Sequence, residues 1–188
     1  HHLLHSLDEF ESALQQTPFA NTVIHHCRQA DRGQVAIVDW KPEYREEFAA
    51  LNMAWLEQYF PDQIDPRDHQ SLGNPEGYYL ARGGAIFFAL IDRQVVGCCA
   101  LERRDDLHFH LAKLAVARNC QNRGIGRKLV LAALEKARLW GAQEVSLETS
   151  SKLLAANSLY QNLGFSPCEP PNGQFEFDRT DRYLQLQF

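Results

Sequence analysis

The sequence predicts an α/β protein with a central, mostly antiparallel mixed sheet and helices on both faces. Two patterns carry that prediction. Apolar strands at Ala85–Ile91 and Gln94–Leu101 are separated only by Asp92-Arg93, a hairpin-length connection that makes them antiparallel. Further along, apolar strands alternate with segments of helical periodicity, so helices must pack onto the sheet. A third observation bounds the size. At 188 residues and 45% hydrophobic content, the chain supplies one sizeable core. No repeat, low-complexity tract or linker divides it. The organisation expected is one domain over 34–188 behind an N-terminal helical extension, 1–33.

In the extension, Ser6-x-x-Glu9 forms a capping box, and Leu7, Phe10, Glu11 and Leu14 share a helix face until Thr17-Pro18 ends the run. Packing over the sheet edge is the default role; a docking helix and a homodimer contact are the other readings. Gln34–Val38 reads as the first strand. Asp39 as N-cap and Pro42 in the first turn open a helix in which Tyr44, Phe48, Leu51, Trp55 and Tyr59 recur at helical spacing, until Pro61 stops it. Asp65-Pro66 opens a second, short helix that closes near Gly73. After the hairpin, a turn at Arg103–Asp106 leads into the strand Leu107–Val116. The helix that follows carries Leu129, Ala132, Ala133, Lys136 and Trp140 on one face, and Gly141 suits its C-cap. Val145–Thr149 is a strand and Leu153–Leu163 a helix. Phe175–Phe177 and Tyr183–Phe188 alternate as closing strands.

A net charge of −5 argues against nucleic acid and against an anionic membrane as partner. No apolar run approaches the roughly 18 residues of a membrane span, and no secretory pattern is present. The five cysteines include no Cys-x-x-Cys pair, which fits a reduced, cytoplasmic setting. Cys98 and Cys99 are adjacent on a strand and point to opposite faces. Cys120 reads as a small packing residue under a loop.

The chemistry concentrates after Val116. A polar loop runs into Gly124-Ile125-Gly126 and then the long helix. The first turn of a helix presents unpaired N–H groups and the positive end of its dipole. Glycines there keep side chains out of an anion's way, and Arg123, Arg127 and Lys128 add charge. A phosphorylated ligand is expected. A Walker loop is excluded because Arg127-Lys128-Leu129 stands where Gly-Lys-Ser/Thr is required. A dinucleotide fingerprint lacks its third glycine, with Leu129 in that place, but Glu144 or Glu148 could serve as the ribose acid, so that reading stands as a weaker alternative. The remaining pattern is Gln/Arg-x-x-Gly-x-Gly/Ala, met by Gln121-Asn122-Arg123-Gly124-Ile125-Gly126.

In this hexapeptide, in the strand before it and in Asn157-Ser158-Leu159-Tyr160-Gln161-Asn162-Leu163-Gly164-Phe165, the chain resembles the GNAT superfamily of N-acetyltransferases over about residues 34–188. The resemblance implies a splayed sheet and acetyl-CoA as cosubstrate, its pyrophosphate on Gln121, Asn122, Arg123, Gly124, Ile125, Gly126 and Arg127. By position, Leu114, Ala115 and Val116 would meet the pantetheine arm, with the Leu114 N–H polarising the acetyl carbonyl. The resemblance also puts Asn157 on the pantetheine and Tyr160 near the sulfur. Tyr160 is then the acid for a departing thiolate of pKa about 8.5. The histone-acetylating branch has its base, a Glu, where this chain has His110. A neutral imidazole with a pKa near 6.5 can take that role. Glu102, Glu57 and Glu148 are alternative bases acting through water. His108-x-His110 lacks a third ligand, so no metal is expected.

The expected activity is acetyl transfer to a primary amine of a small-molecule or amino-acid-like acceptor. Trp55, Glu57, Tyr59 and Phe60 are candidate acceptor contacts, and Glu57, Asp62 and Asp65 would favour a cation. A non-catalytic acyl-CoA sensor and a protein (N-terminal or lysine) acetyltransferase are the alternatives.

Overall fold

A computed structural model describes residues 33–188; the helix expected near the N-terminus lies outside the described residues. Among the described residues, seven strands, β1 (Ala36–Asp39), β2 (Ala85–Ile91), β3 (Gln94–Arg103), β4 (His108–Val116), β5 (Glu144–Thr149), β6 (Ser166–Cys168) and β7 (Arg182–Gln187), form one sheet in the order β1-β2-β3-β4-β5-β7-β6. Of the described neighbours, β4 and β5 run parallel and the rest antiparallel. The helices are α1 (Arg45–Tyr59), α2 (Pro66–Gly73), α3 (Pro75–Tyr78), α4 (Ile125–Leu139) and α5 (Leu154–Asn162).

Alternation along the strands feeds a core on each face. Phe87 and Cys99 join Leu129, Ala133 and Tyr160 on the side of α4 and α5. Phe88 and Cys98 join Phe48 and Leu56 of α1 on the other. The two neighbouring cysteines thus part to opposite faces, as their strand position requires. Gly97 lets α4 approach closely: a Cβ there would lie 3.1 Å from the Ala115 carbonyl oxygen and 3.2 Å from Leu129.

Two local expectations fail. Asp39 ends β1 rather than capping a helix; Lys41 leads into a 3-10 turn at Pro42–Tyr44, and α1 begins at Arg45. Phe175–Phe177 is not a strand. Side chains fix that segment instead: the Phe177 ring lies 4.0 Å from the Arg179 guanidinium and 4.7 Å from that of Arg67. The place beside β7 goes to β6, whose Pro167, opposite Leu184, is tolerated on an edge strand.

Two irregularities in β4 shape the site. Its ladder to β5 has three pairs and ends at His110↔Ser146, so the strands part beyond that point. On its other side, the register to β3 jumps from Ala112↔Ala100 to Ala115↔Cys98. Lys113 and Leu114 therefore stand opposite the single residue Cys99, a β-bulge. Lys113 adopts φ 55°, a left-handed conformation rare for a non-glycine residue.

Candidate active site

The opening between β4 and β5 holds two cavities that meet at Leu114. One, of about 440 Å³, runs from Leu114 and Val116 past Gly124 and Gly126 to Leu153 and Leu159. The other, of about 130 Å³, lies between His110–Leu114 and Glu148–Ser150, walled by Trp55, Phe60 and the segment Phe177–Thr180. Trp55 and Leu114 line both.

The larger cavity has the features of an anion cradle. Gly124 is the N-cap of α4 at φ 74°, and a Cβ there would meet nothing within 4 Å. The first α4 bond is Lys128 N–H to the Gly124 carbonyl, at 3.1 Å. The amides of Ile125, Gly126 and Arg127 therefore precede the helical ladder and face off its end. The Gln121 side chain donates to the Val116 carbonyl at 3.2 Å and ties the loop to β4. Arg127 and Asn122 line the cavity, whereas Arg123 is exposed and does not. Ala115 turns its side chain into the opposite core, as alternation demands when Leu114 and Val116 face the groove. These residues fit a pyrophosphate followed by an apolar arm.

Tyr160 reaches the smaller cavity. Burial, with Cys99 nearby, raises its phenol above the usual range, so the hydroxyl stays protonated. No protein group among the described residues hydrogen-bonds it. Asn157 has another place: its amide donates to the carbonyls of Ser150 at 2.8 Å and Leu153 at 2.9 Å, and its Oδ1 is buried without a partner. It lines a separate depression beside Tyr183 and not the groove. Asn157 therefore clamps the turn before α5, and the hydrogen bond to pantetheine that the resemblance implied has no geometric support.

His110 lines the smaller cavity, with Nδ1 3.0 Å from the Ser146 hydroxyl. Burial, assisted by Arg104, pulls its pKa down to about 3. A ring that resists protonation so strongly is a poor proton acceptor, which counts against His110 as base. His108 is exposed and pairs with Asp105 at 2.7 Å, so the two histidines do not converge. Of the alternatives, Glu148 lines the cavity and Glu102 and Glu57 do not. Burial raises the Glu148 carboxyl above the usual range, against hydrogen bonds from Glu176 N–H at 2.8 Å and the Thr180 hydroxyl at 2.8 Å.

The sequence reading missed a charged cluster in the same cavity. Asp68 is fully buried and accepts from Lys113 Nζ at 2.7 Å and from Arg179 Nη1 at 2.7 Å and Nη2 at 2.9 Å. Burial opposes ionisation of Asp68, yet the two cations outweigh it and hold the carboxyl below its usual range. Burial also draws Lys113 below the ordinary ammonium range. The acidic wall proposed from sequence does not form. Asp65 caps α2 and pairs with Arg67, while Glu57 and Asp62 are exposed. One signal was available: Lys113 interrupts the otherwise apolar run Leu111–Val116. Arg179 had none, because its partner lies 111 residues away.

The sequence of the acetyltransferase (GNAT) family matches residues 37–165, and the chain belongs to that family. The Xenopus laevis protein described as probable N-acetyltransferase camello is 38% identical over 123 residues, 62% of this chain and 56% of that one. N-acetylaspartate synthetase of Danio rerio is 33% identical over 104 residues, 54% of this chain and 37% of the relative. The chain thus spans about half or less of the length of these curated relatives. Among solved structures, an acetyltransferase of the GNAT family from Staphylococcus aureus Mu50 superposes with a TM-score of 0.74 at 25% identity, covering 82% of this chain and 99% of that one.

Proposed function

We propose that the protein is an acetyl-CoA-dependent N-acetyltransferase acting on the primary amine of a small molecule by direct attack. The observation that carries this reading is the junction at Leu114, where an anion cradle at the start of α4 and a separate polar cavity meet beside a strand that has left its neighbour. The name of one relative, an N-acetylaspartate synthetase, points to a small-molecule amine in the same class.

In this reading the amides of Ile125, Gly126 and Arg127 hold the pyrophosphate, and Leu114 and Val116 offer their main-chain edge to the pantetheine arm. Acetyl-CoA supplies an activated acetyl group and a thiol leaving group. The Leu114 N–H faces the carbonyl oxygen, where charge develops. Tyr160, which reaches the smaller cavity, gives its proton to the sulfur. In this reading Glu148 replaces His110 as the base, because burial strengthens its carboxylate as a proton acceptor and weakens the imidazole. An alkyl ammonium near pKa 10 must lose its proton before it attacks.

The deciding experiment is thiol release from acetyl-CoA with a panel of amines, run beside calorimetric titration of coenzyme A. Release with at least one small amine is expected. Coenzyme A binding without release for any amine identifies a sensor; release with peptides alone identifies a protein acetyltransferase.

A further inference from the structure

We propose that the Lys113–Arg179 pair, held by Asp68, is a carboxylate-binding site, and that the acceptor is an amino acid with its carboxylate close to the reacting amine. The inference rests on the transferase reading and specifies its acceptor.

The cluster is built rather than incidental. Two cations share one carboxylate, so the cluster of Asp68, Lys113 and Arg179 has one more cation than anion. The side chains of Lys113 and Arg179 are 11% and 7% exposed, and that of Asp68 is fully buried. A buried charge is costly unless it is paired. Their hydrogen bonding is also incomplete. Lys113 has three N–H donors, and Asp68 takes one. Arg179 has five, of which three go to Asp68 and to the Gln63 carbonyl. The remainder find no protein acceptor among the described residues, although both side chains line the cavity. A ligand carboxylate satisfies both deficits at once. Asp68 does not compete for this role, since its oxygens are already occupied and it fixes the direction in which the cations point.

Backbone geometry connects this site to the reaction. Lys113 sits in the left-handed region at the bulge, and strain of that kind persists where the surroundings enforce it. The bulge aims Lys113 into the cavity while the next residue, Leu114, presents the amide assigned to the acetyl carbonyl. Lys113, Arg179, Leu114 and Glu148 all line the one cavity of about 130 Å³, so an acceptor that reaches both the cations and the acyl position is small, with its amine a short carbon spacer from its carboxylate. Glu148, on the facing strand, completes the site on the amine side.

The test compares L-amino acids with their own C-terminal amides, which keep the amine and remove the negative charge. With the wild-type protein, kcat/KM should favour the acid by about 10- to 100-fold, the worth of one charge-assisted contact. Lys113→Met and Arg179→Gln should each collapse that preference, and Lys113→Arg should retain it. Folding of each variant is checked by its thermal transition; should Arg179→Gln fail to fold, Lys113→Met decides alone. Calorimetry with acid or amide added to the coenzyme A complex reads the subsite without turnover. Equal kcat/KM for acid and amide overturns the carboxylate site and leaves the transferase intact. Acid binding without thiol release overturns the transferase and keeps the site. Binding of neither acid nor amide overturns the site.

Discussion

Two residues of the cavity respond to burial in opposite ways, and each yields a test. Burial holds Tyr160 protonated, and its place in the cavity makes it the candidate acid. Tyr160→Phe removes only the hydroxyl and should lower kcat about 10²- to 10⁴-fold, the usual worth of positioned acid catalysis. The dissociation constant of coenzyme A, measured by calorimetry, should change less than twofold; an unaltered kcat would remove Tyr160 from the chemistry. His110 is held neutral. An unfolded chain protonates this ring below about 6.5, whereas the folded state resists until about 3. The unfolded state binds more protons in that window, so stability is intact above it and drains as pH falls through it. The slope from one such group is at most about 1.4 kcal/mol per pH unit. In His110→Gln, urea denaturation between pH 4 and 6.5 should show a shallower decline than in wild type. Parallel declines in the two proteins would mean that the folded state does protonate His110.

At the level of elements, most of the molecule was legible because its signals are local. The hairpin β2–β3, the cap and proline that open α2, and the glycine turn into α4 all lie within a few residues of the feature they specify. The glycine turn gives the next prediction. A Cβ at Gly126 would touch only Leu159, at 3.5 Å, so the fold tolerates a side chain there better than the groove does. Gly126→Val should weaken coenzyme A binding more than tenfold while shifting the melting temperature by only a few degrees. Unchanged affinity would mean that the pyrophosphate lies elsewhere. The bulge in β4 was illegible for a physical reason. Alternation predicts which side chains share a face, but a bulge depends on how β3 pairs across it, and pairing is not written in either strand alone. Phe175–Phe177 misled in the complementary way: its alternation is real, yet cation–ring contacts and the Glu148 carboxylate claim it before any strand does.

Across the whole chain, Asp68 joins parts that are distant in sequence. It belongs to α2, Lys113 to β4 and Arg179 to the segment before β7, separations of 45 and 111 residues. No local pattern could have announced that convergence. The segment it secures is also tied by Glu176 and Thr180 to Glu148, and by Asp181 to the Ser151 amide and hydroxyl at 2.6 Å each. Residues 176–181 thus form a strap across the smaller cavity, anchored at both ends and at the middle. Asp68→Asn preserves shape but leaves two buried cations facing a neutral amide. Removing one partner of a buried ion pair costs about 3–5 kcal/mol; Lys113, already drawn toward neutrality by burial, can shed its proton and reduce that cost. A loss of at least about 2 kcal/mol is therefore expected in denaturant unfolding. Hydrogen exchange should locate the damage, with faster exchange at the Glu176 and Asp181 amides and little change in α4, which packs in the core on the opposite face of the sheet from α2. A stable variant that merely loses acid-over-amide preference would show that Asp68 orients the cations without holding the strap. Uniform acceleration throughout the sheet would show that the cluster supports the fold as a whole.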